Sequence, residues 1–339
     1  MLLNGFSGIK AAMRAFPIPV ATGLVGTCRW VLPRLMVAGI MLLTLAPLMR
    51  EHSVLMDFLA HFLVQSAVLS VAIGLCLLTY RRWVGTGLVA LCLIVQASLL
   101  QPDFLAASAA HPTPTSVRVL FSNVWTRNRQ LEAYAEQIRA HDPDIVVLAE
   151  LNARTTVLID ELGSTYPYSV DCLQHWACDS VVLSRLPIVE DLSGWSGDHR
   201  VATSAARIAS PFGPFVVAGV HLDRPLPPRR LQRQEHQVDG LVTLLASIDS
   251  PLLLVGDFNA SPWGRLLPSL ASKTGLELAW GLEGTWPAQA PWPMRIPIDH
   301  ALTGRGLALL DREVVRLPGS DHRALLLRIG LRDGERIEM

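Results

Sequence analysis

The stretch Leu252-Leu253-Leu254-Val255-Gly256-Asp257-Phe258-Asn259 decides how the chain is read. Four consecutive apolar residues predict a strand buried on both faces. Gly256 lets the backbone turn sharply, and Asp257 and Asn259 follow on alternate positions. On extended backbone, residues i and i+2 point the same way. A carboxylate and a carboxamide are therefore expected to project together from the end of a core strand. Oxygen donors of that kind suit a hard cation such as Mg²⁺ or Mn²⁺ and a phosphate held on it. A polar strand-to-turn junction accounts for the same two residues, since Asp and Asn are common in turns.

Other strand-like runs end on polar residues in the same manner. Val117 to Val124 delivers Asn123, and His141 to Glu150 is a turn leading into a buried strand with Glu150 at its end. Ser180 to Ile188 closes in a Pro-containing turn, and Phe215 to His221 ends on His221. Arg224, Arg229, Arg230 and Arg233 come next, on a segment of helical spacing. A guanidinium fork can bind two phosphate oxygens at once, although a solvated helix start explains these arginines equally well. Further on, Arg295 to His300 contains Asp299, and Gly319-Ser320-Asp321-His322 precedes a last strand. Strands and helical segments alternate, and several strands suit antiparallel pairing, so the pattern predicts a mixed-sheet α/β domain.

The N-terminal third is different. The formal net charge of the chain is zero, but residues 1–100 carry seven basic residues against only Glu51 and Asp57. Apolar runs at Trp30–Met49, Val54–Tyr80 and Trp83–Leu100 each approach the roughly 20 residues that span a bilayer. Trp30, Tyr80 and Trp83 sit at run ends, where interfacial aromatics belong. About three transmembrane helices in residues 1–100 are thus expected, then a linker over 101–116 and a catalytic domain over 117–331. Lys10, Arg14 and Arg29 precede the first run, Arg34 lies near its start, and Arg81-Arg82 join the last two, which puts those ends in the cytoplasm. Three crossings would leave the domain outside, on the periplasmic face of the cell (inner) membrane. Asp57, His61 and Gln65 recur every four residues on one face of the second run, as a hydrated, helix-packing face would. Cys172 and Cys178 are close enough in sequence to pair in an oxidising compartment.

Asn123, Glu150, the Ser184-Arg185-Leu186-Pro187 turn, His221, Gly256-Asp257-Phe258-Asn259, Asp299 and Ser320-Asp321-His322 stand in an order that resembles the endonuclease/exonuclease/phosphatase (DNase I-like) superfamily over residues 117–330. That superfamily includes DNase I-like nucleases, abasic-site endonucleases, sphingomyelinases and inositol polyphosphate phosphatases, and this chain resembles a membrane-anchored subset. The resemblance implies a four-layer sandwich, two mixed β-sheets flanked by helices, here preceded by a transmembrane helical segment. It implies Glu150 as principal metal ligand with Asn123 beside it and Asp321 assisting. Asp257 would position or deprotonate the attacking water, and Asn259 would hold a phosphate oxygen. His322 would act as base or transition-state stabiliser, oriented by Asp299, and His221 would contact the scissile phosphate or leaving group. Some nuclease members carry an acid two residues after the first Asn; Trp125 stands there, which favours one Mg²⁺ or Mn²⁺ ion.

The expected function is a membrane-anchored, metal-dependent hydrolase of phosphate esters, foremost a phosphodiesterase using activated water. Arg224, Arg229 and Arg230 are expected phosphate contacts. The substrate would be a phospholipid or a nucleic acid. An extracytoplasmic nuclease is the first alternative, weakened because the part after residue 100 has 22 basic against 27 acidic residues and a single lysine, Lys273. A non-catalytic membrane protein binding a phosphorylated ligand is the second. Besides the substrate and the lipid bilayer, no protein partner is indicated.

Overall fold

The computed structural model describes residues 21–100, 115–198, 200–226, 228–279 and 281–332. Lys10, Arg14 and residues 101–114 of the expected linker lie outside them. Helices α1 (Ala21–Leu45), α2 (Val54–Ala60), α3 (Leu63–Thr79) and α4 (Trp83–Leu100) come first. They precede two face-to-face sheets with helices on both outer surfaces. One sheet holds β1 (Val117–Asn123), β2 (Ile145–Ala149), β3 (Tyr168–Asp171), β4 (Val181–Ser184), β12 (Leu307–Arg316) and β13 (Arg323–Leu331), in the order β12-β13-β1-β2-β4-β3. The other holds β5 (Ile188–Asp191), β7 (Ala202–Ser210), β8 (Gly213–His221), β9 (Leu252–Asp257), β10 (Glu277–Ala279) and β11 (Asp299–Gly304), in the order β10-β11-β9-β8-β7-β5. A two-residue strand, β6 (Gly194–Trp195), pairs with β7. Each sheet is mixed, with β1/β2 and β8/β9 as its parallel pair.

The continuous apolar runs follow from this layering. Alternate residues of β1, β2 and β9 (Val119 and Phe121, Ile145 and Val147, Leu253 and Val255) meet between the sheets. The intervening Leu120, Val146 and Leu148 pack under α5 (Leu131–Ala140) and α6 (Val157–Gly163). Leu252 and Leu254 pack under α7 (Pro228–Ala246) and α8 (Leu266–Thr274). A strand with a helix layer on one face and a sheet on the other has no solvent side, so strict alternation of apolar and polar residues is lost.

Gly256 has another purpose than the expected turn. It lies inside β9, and a Cβ placed on it would stand 2.1 Å from the Val220 carbonyl oxygen. Only a residue without a side chain lets β8 come that close. The turn begins one residue later. Asn259 takes a left-handed φ of 49° and donates its backbone N–H to Asp257 Oδ1 at 2.9 Å. Asp257 and Asn259 therefore meet through an Asx-type turn and not through extended-chain alternation.

Among the described residues, Trp83–Leu100 is the one unbroken helix long and apolar enough to cross a membrane. The run expected as a second span is not straight: α2 and α3 meet at 74°. Val31–Leu45 is a shorter apolar helix. Helices α1, α3 and α4 pack together, with the fully buried Gln96 amide donating to Thr44 Oγ1 at 2.9 Å and Ser66 Oγ at 3.2 Å. Polar side chains of this kind join helices in apolar surroundings.

The bend in the second run has a physical cause. Asp57 and His61 reach the segment just after β9, and Gln65 reaches the turn before β11. The backbone N–H of Ser261 donates to His61 Nδ1 at 3.0 Å, and the Ser261 hydroxyl lies 2.9 Å from the same atom. Arg265 donates its backbone N–H to Asp57 Oδ1 at 2.8 Å and brings its guanidinium to 3.3 Å from Asp57 Oδ2. Gln65 donates to the Arg295 carbonyl at 2.7 Å, and Arg50 to the Trp263 carbonyl at 3.1 Å. Gly264 admits this approach, since a Cβ there would lie 2.8 Å from the His61 ring. Leu63, Val64 and Trp263 close an apolar cluster beside these bonds. A helix continuing straight would leave a buried carboxylate and imidazole without partners, a cost of several kcal/mol. Replacing both Asp57 and His61 by alanine is expected to lower the stability of the full chain in detergent by about 2 kcal/mol, because Arg265 keeps Glu235 at 2.6 Å as a second partner. Denaturant unfolding measures this, and a change below about 0.5 kcal/mol would show the contacts to be incidental.

Candidate active site

Strand register sets the first row of groups. His221 closes β8 and pairs with Asp257 at the end of β9, which in turn faces Asp299 at the start of β11. One level of one sheet thus carries a histidine and two acids side by side. The facing sheet supplies Asn123 at the end of β1, Glu150 directly after β2, and Ser320 to His322 directly before β13. The Ser320 hydroxyl donates to the Asn123 carbonyl at 2.7 Å, which ties these two segments together.

The two rows converge on one oxygen. Asp257 Oδ2 accepts from Asn123 Nδ2 at 3.0 Å, and both His221 Nε2 and His322 Nε2 stand 3.7 Å from it. Each imidazole is braced from behind by a carboxylate. Nδ1 of His322 lies 2.9 Å from Asp299 Oδ2, and Nδ1 of His221 lies 2.7 Å from Asp179 Oδ2. Asp257, Asp299 and His322 are almost fully excluded from solvent. Burial pulls the His221 imidazole down, but Asp179, Asp257 and Glu150 more than offset it and raise it to about 10. Burial also opposes the charge on His322, yet Asp299 and Asp257 lift it to about 9. Each dyad therefore holds its proton past neutrality, and both Nε2–H groups point at Asp257 as donors.

Glu150 sits differently. Its backbone is left-handed, with φ 58°, so the side chain leaves the strand line. Oε1 accepts from the Thr126 hydroxyl at 3.2 Å, and Oε2 has no hydrogen bond among the described residues. Asp321 is half-buried; desolvation raises its carboxyl, and the nearby Glu150 charge raises it further. Its Oδ2 accepts from Trp286 Nε1 at 3.3 Å, while the buried Oδ1 has no partner. Two mutually repelling carboxylates with an unsatisfied oxygen each are a fit for a divalent cation. Asp257, Asp299 and His322 also bring ligand atoms within 4.8 Å of one another and could hold an ion. Those atoms, however, are already committed to one another and to Asn123 and Asn259. The side-chain Oδ1 of Asn123 accepts from the Trp125 backbone N–H at 2.9 Å, so this residue braces Asp257 more directly than it offers itself to a metal.

A cleft of about 310 Å³ opens from Glu150 and His221. Asp179, Asp223, Arg200, Arg224, Arg230, Arg233 and Gln237 line it with Trp176. Arg229, grouped with Arg224 and Arg230 in the sequence, is exposed and does not line it. Cys172 and Cys178 are bonded, closing the loop that carries Trp176 and leads directly into Asp179.

The endonuclease/exonuclease/phosphatase family model matches residues 120–322, more than half of the chain. The chain belongs to this family. Its members act on phosphate esters, typically with a divalent metal. Among solved structures, an endonuclease/exonuclease/phosphatase from Beutenbergia cavernae is similar at 21% identity, over 64% of this chain and 72% of that one, with TM-score 0.51. A family protein from Bacteroides vulgatus is similar at 16% identity over 64% of this chain and all of that one, with TM-score 0.52. A conserved protein of unknown function from Enterococcus faecalis is similar at 17% identity over 63% of this chain and all of that one, also with TM-score 0.52. These likenesses establish the fold alone. A comparison with curated proteins returns no match.

Asp179 and Trp286 are among the groups at the site that the sequence does not mark. Asp179 stands 42 residues from His221, and nothing local marks it off from Asp171. Trp286 stands in a Thr-Trp-Pro segment with no metal-ligating or titratable group of its own. Only the packing of the two sheets brings either to the site.

Proposed function

We propose that the protein is a membrane-anchored, divalent-metal-dependent phosphodiesterase whose catalytic part lies outside the cytoplasmic membrane. The observation that carries the reading is the ring of three donors around Asp257 Oδ2, two of them imidazoles backed by carboxylates. Glu150 and Asp321 would hold the ion, Mg²⁺ or Mn²⁺. Bound there, a divalent cation screens the phosphate charge and polarises a P–O bond.

The remaining roles belong to the chain's own groups. Asp257 is the carboxylate positioned to orient a water molecule and accept its proton. His322 and His221, protonated at neutral pH, donate from Nε2 to phosphate oxygens and to the departing alkoxide, where negative charge grows. Asp257 is favoured as the base over His322, because an imidazole held protonated by Asp299 and Asp257 has no lone pair to accept with. Asp299 and Asp179 fix the two rings. Asn259 donates one amide N–H to the Leu222 carbonyl at 2.9 Å and has a second for a phosphate oxygen.

The anchoring reading is supported by α4. Only 17% of its most apolar stretch is buried, and Val84, Leu91 and Ile94 are strongly exposed, which a core helix would not tolerate. Arg81-Arg82 at its start would put that end in the cytoplasm by the excess of basic residues found on that side. A periplasmic-type alkaline phosphatase joined to the C-terminus is expected to be active and a cytoplasmic-type fluorescent protein dark; the reverse pattern would place the site inside.

The chemical test uses the full chain in detergent, stripped of metal. Bis(4-nitrophenyl) phosphate hydrolysis should be absent and return with Mg²⁺ or Mn²⁺. Preference for 4-nitrophenyl phosphate would make the protein a monoesterase, and turnover of the diester with no metal added would refute metal dependence.

A further inference from the structure

Two arginines of the cleft have no use in the reading above. Arg224 and Arg230 are exposed, line the same cleft as Glu150 and His221, and form no ion pair among the described residues. Of the cleft's carboxylates, Glu150 is taken by the proposed ion site, Asp179 lies 2.7 Å from His221 and Asp223 lies 3.4 Å from Arg233. Arg200, from the turn before β7, adds a third guanidinium, with an exposed partner, Asp198, at 3.5 Å. Guanidinium groups brought together in a walled space repel one another, and an anion between them removes that repulsion. Trp176, 77% exposed on the disulfide-closed loop, lines the same cleft.

We infer that the substrate carries a second anionic group, a phosphate in the first instance, bound by Arg224 and Arg230 while the scissile phosphate sits at Asp257. The inference rests on the phosphodiesterase reading and narrows its substrate to esters with a further negative charge on one arm. The guanidinium fork matches paired oxygens, whereas a neutral arm would leave both arginines in the cleft without a counter-charge. Such an arm belongs either to a soluble metabolite or to a phosphorylated lipid headgroup, and the two are separable by assay.

The test compares matched substrates on the full chain in detergent. Thymidine 5′-(4-nitrophenyl phosphate) is set against the same compound bearing a 3′-phosphate. Phosphatidylinositol is set against phosphatidylinositol 4-phosphate in mixed micelles. A preference of about tenfold or more in kcat/KM for the more highly charged member of either pair is expected, chiefly through KM. The pair that shows it identifies a soluble or a lipid arm. Arg224→Gln with Arg230→Gln should bring the ratio close to one. Equal rates within both pairs overturn the inference while leaving the phosphodiesterase reading intact. If none of the four compounds turns over, the phosphodiesterase reading fails, and the cleft is judged by calorimetry alone. Thymidine 3′,5′-bisphosphate must then bind about tenfold tighter than thymidine 5′-phosphate to wild type, and not to the double variant; equal binding overturns the inference.

Discussion

Replacing Asp257 by asparagine is expected to lower diester turnover by about 10³-fold, within the range that loss of a positioned general base produces. The substitution keeps the volume, so β9 and the core between the sheets should persist, with an unchanged circular dichroism spectrum. It removes the charge toward which His221 Nε2 and His322 Nε2 both point at 3.7 Å. One of the amide orientations would also set an NH₂ group against two N–H donors and the Asn123 amide. Turnover within tenfold of wild type would remove Asp257 from the reaction and transfer the proton-accepting role elsewhere.

Asp299→Asn should be nearly as damaging, and its pH dependence is more informative. Asp299 is the main group raising His322 to about 9 against the opposing effect of burial. With a carboxamide in its place, the imidazole would lose its proton at lower pH. The alkaline limb of the kcat/KM profile should therefore move toward acid, with a loss of about 10²-fold at pH 8 and a smaller one at pH 6. Stability carries the same signature in metal-free protein. A folded-state value of about 9, above an unfolded value near 6.5, gives a contribution fully present below pH 6.5 and lost as pH rises through 9. Wild type should thus weaken between those limits, and Asp299→Asn should show a shallower slope there. A variant whose profile limb does not move would mean that His322 is not the titrating donor. The same experiment on Asp179→Asn probes His221, whose window extends to about 10.

Much of this site was legible before any coordinates. Asn123, Glu150, His221, Asp257, Asp299 and His322 each terminate or begin a predicted strand, and strand ends are where a layered α/β fold gathers its ligands. The sandwich followed from the same residues by resemblance, and the two mixed sheets agree with it. What escaped notice has a common character: it depends on one segment passing close to another that is remote in sequence. Gly256 reads as a turn residue until Val220 is found against it. Asn123 reads as an oxygen ligand until its side-chain Oδ1 is seen accepting from the Trp125 backbone. Asp179 is silent because its partner is on a different strand of the opposite sheet. The second apolar run reads as one continuous helix, since hydropathy counts residues and does not see that Asp57 and His61 have partners more than 190 positions away.

Those partners bear on how the protein searches for substrate. Ser261 and Arg265, clasped by His61 and Asp57, lie four and eight residues after Asp257 on the same short segment. With α4 in a bilayer, the hydrolytic centre is mounted on its base like an instrument on a bracket, held at one height and one heading. A head swinging on a string would sweep a hemisphere; so anchored, this one would survey a thin layer, and lateral diffusion of the whole molecule would replace tumbling. Encounter then depends on how a phosphate ester is presented at that height, and lengthening the connection after Leu100 would leave the reach of the centre unchanged for as long as the clasp holds.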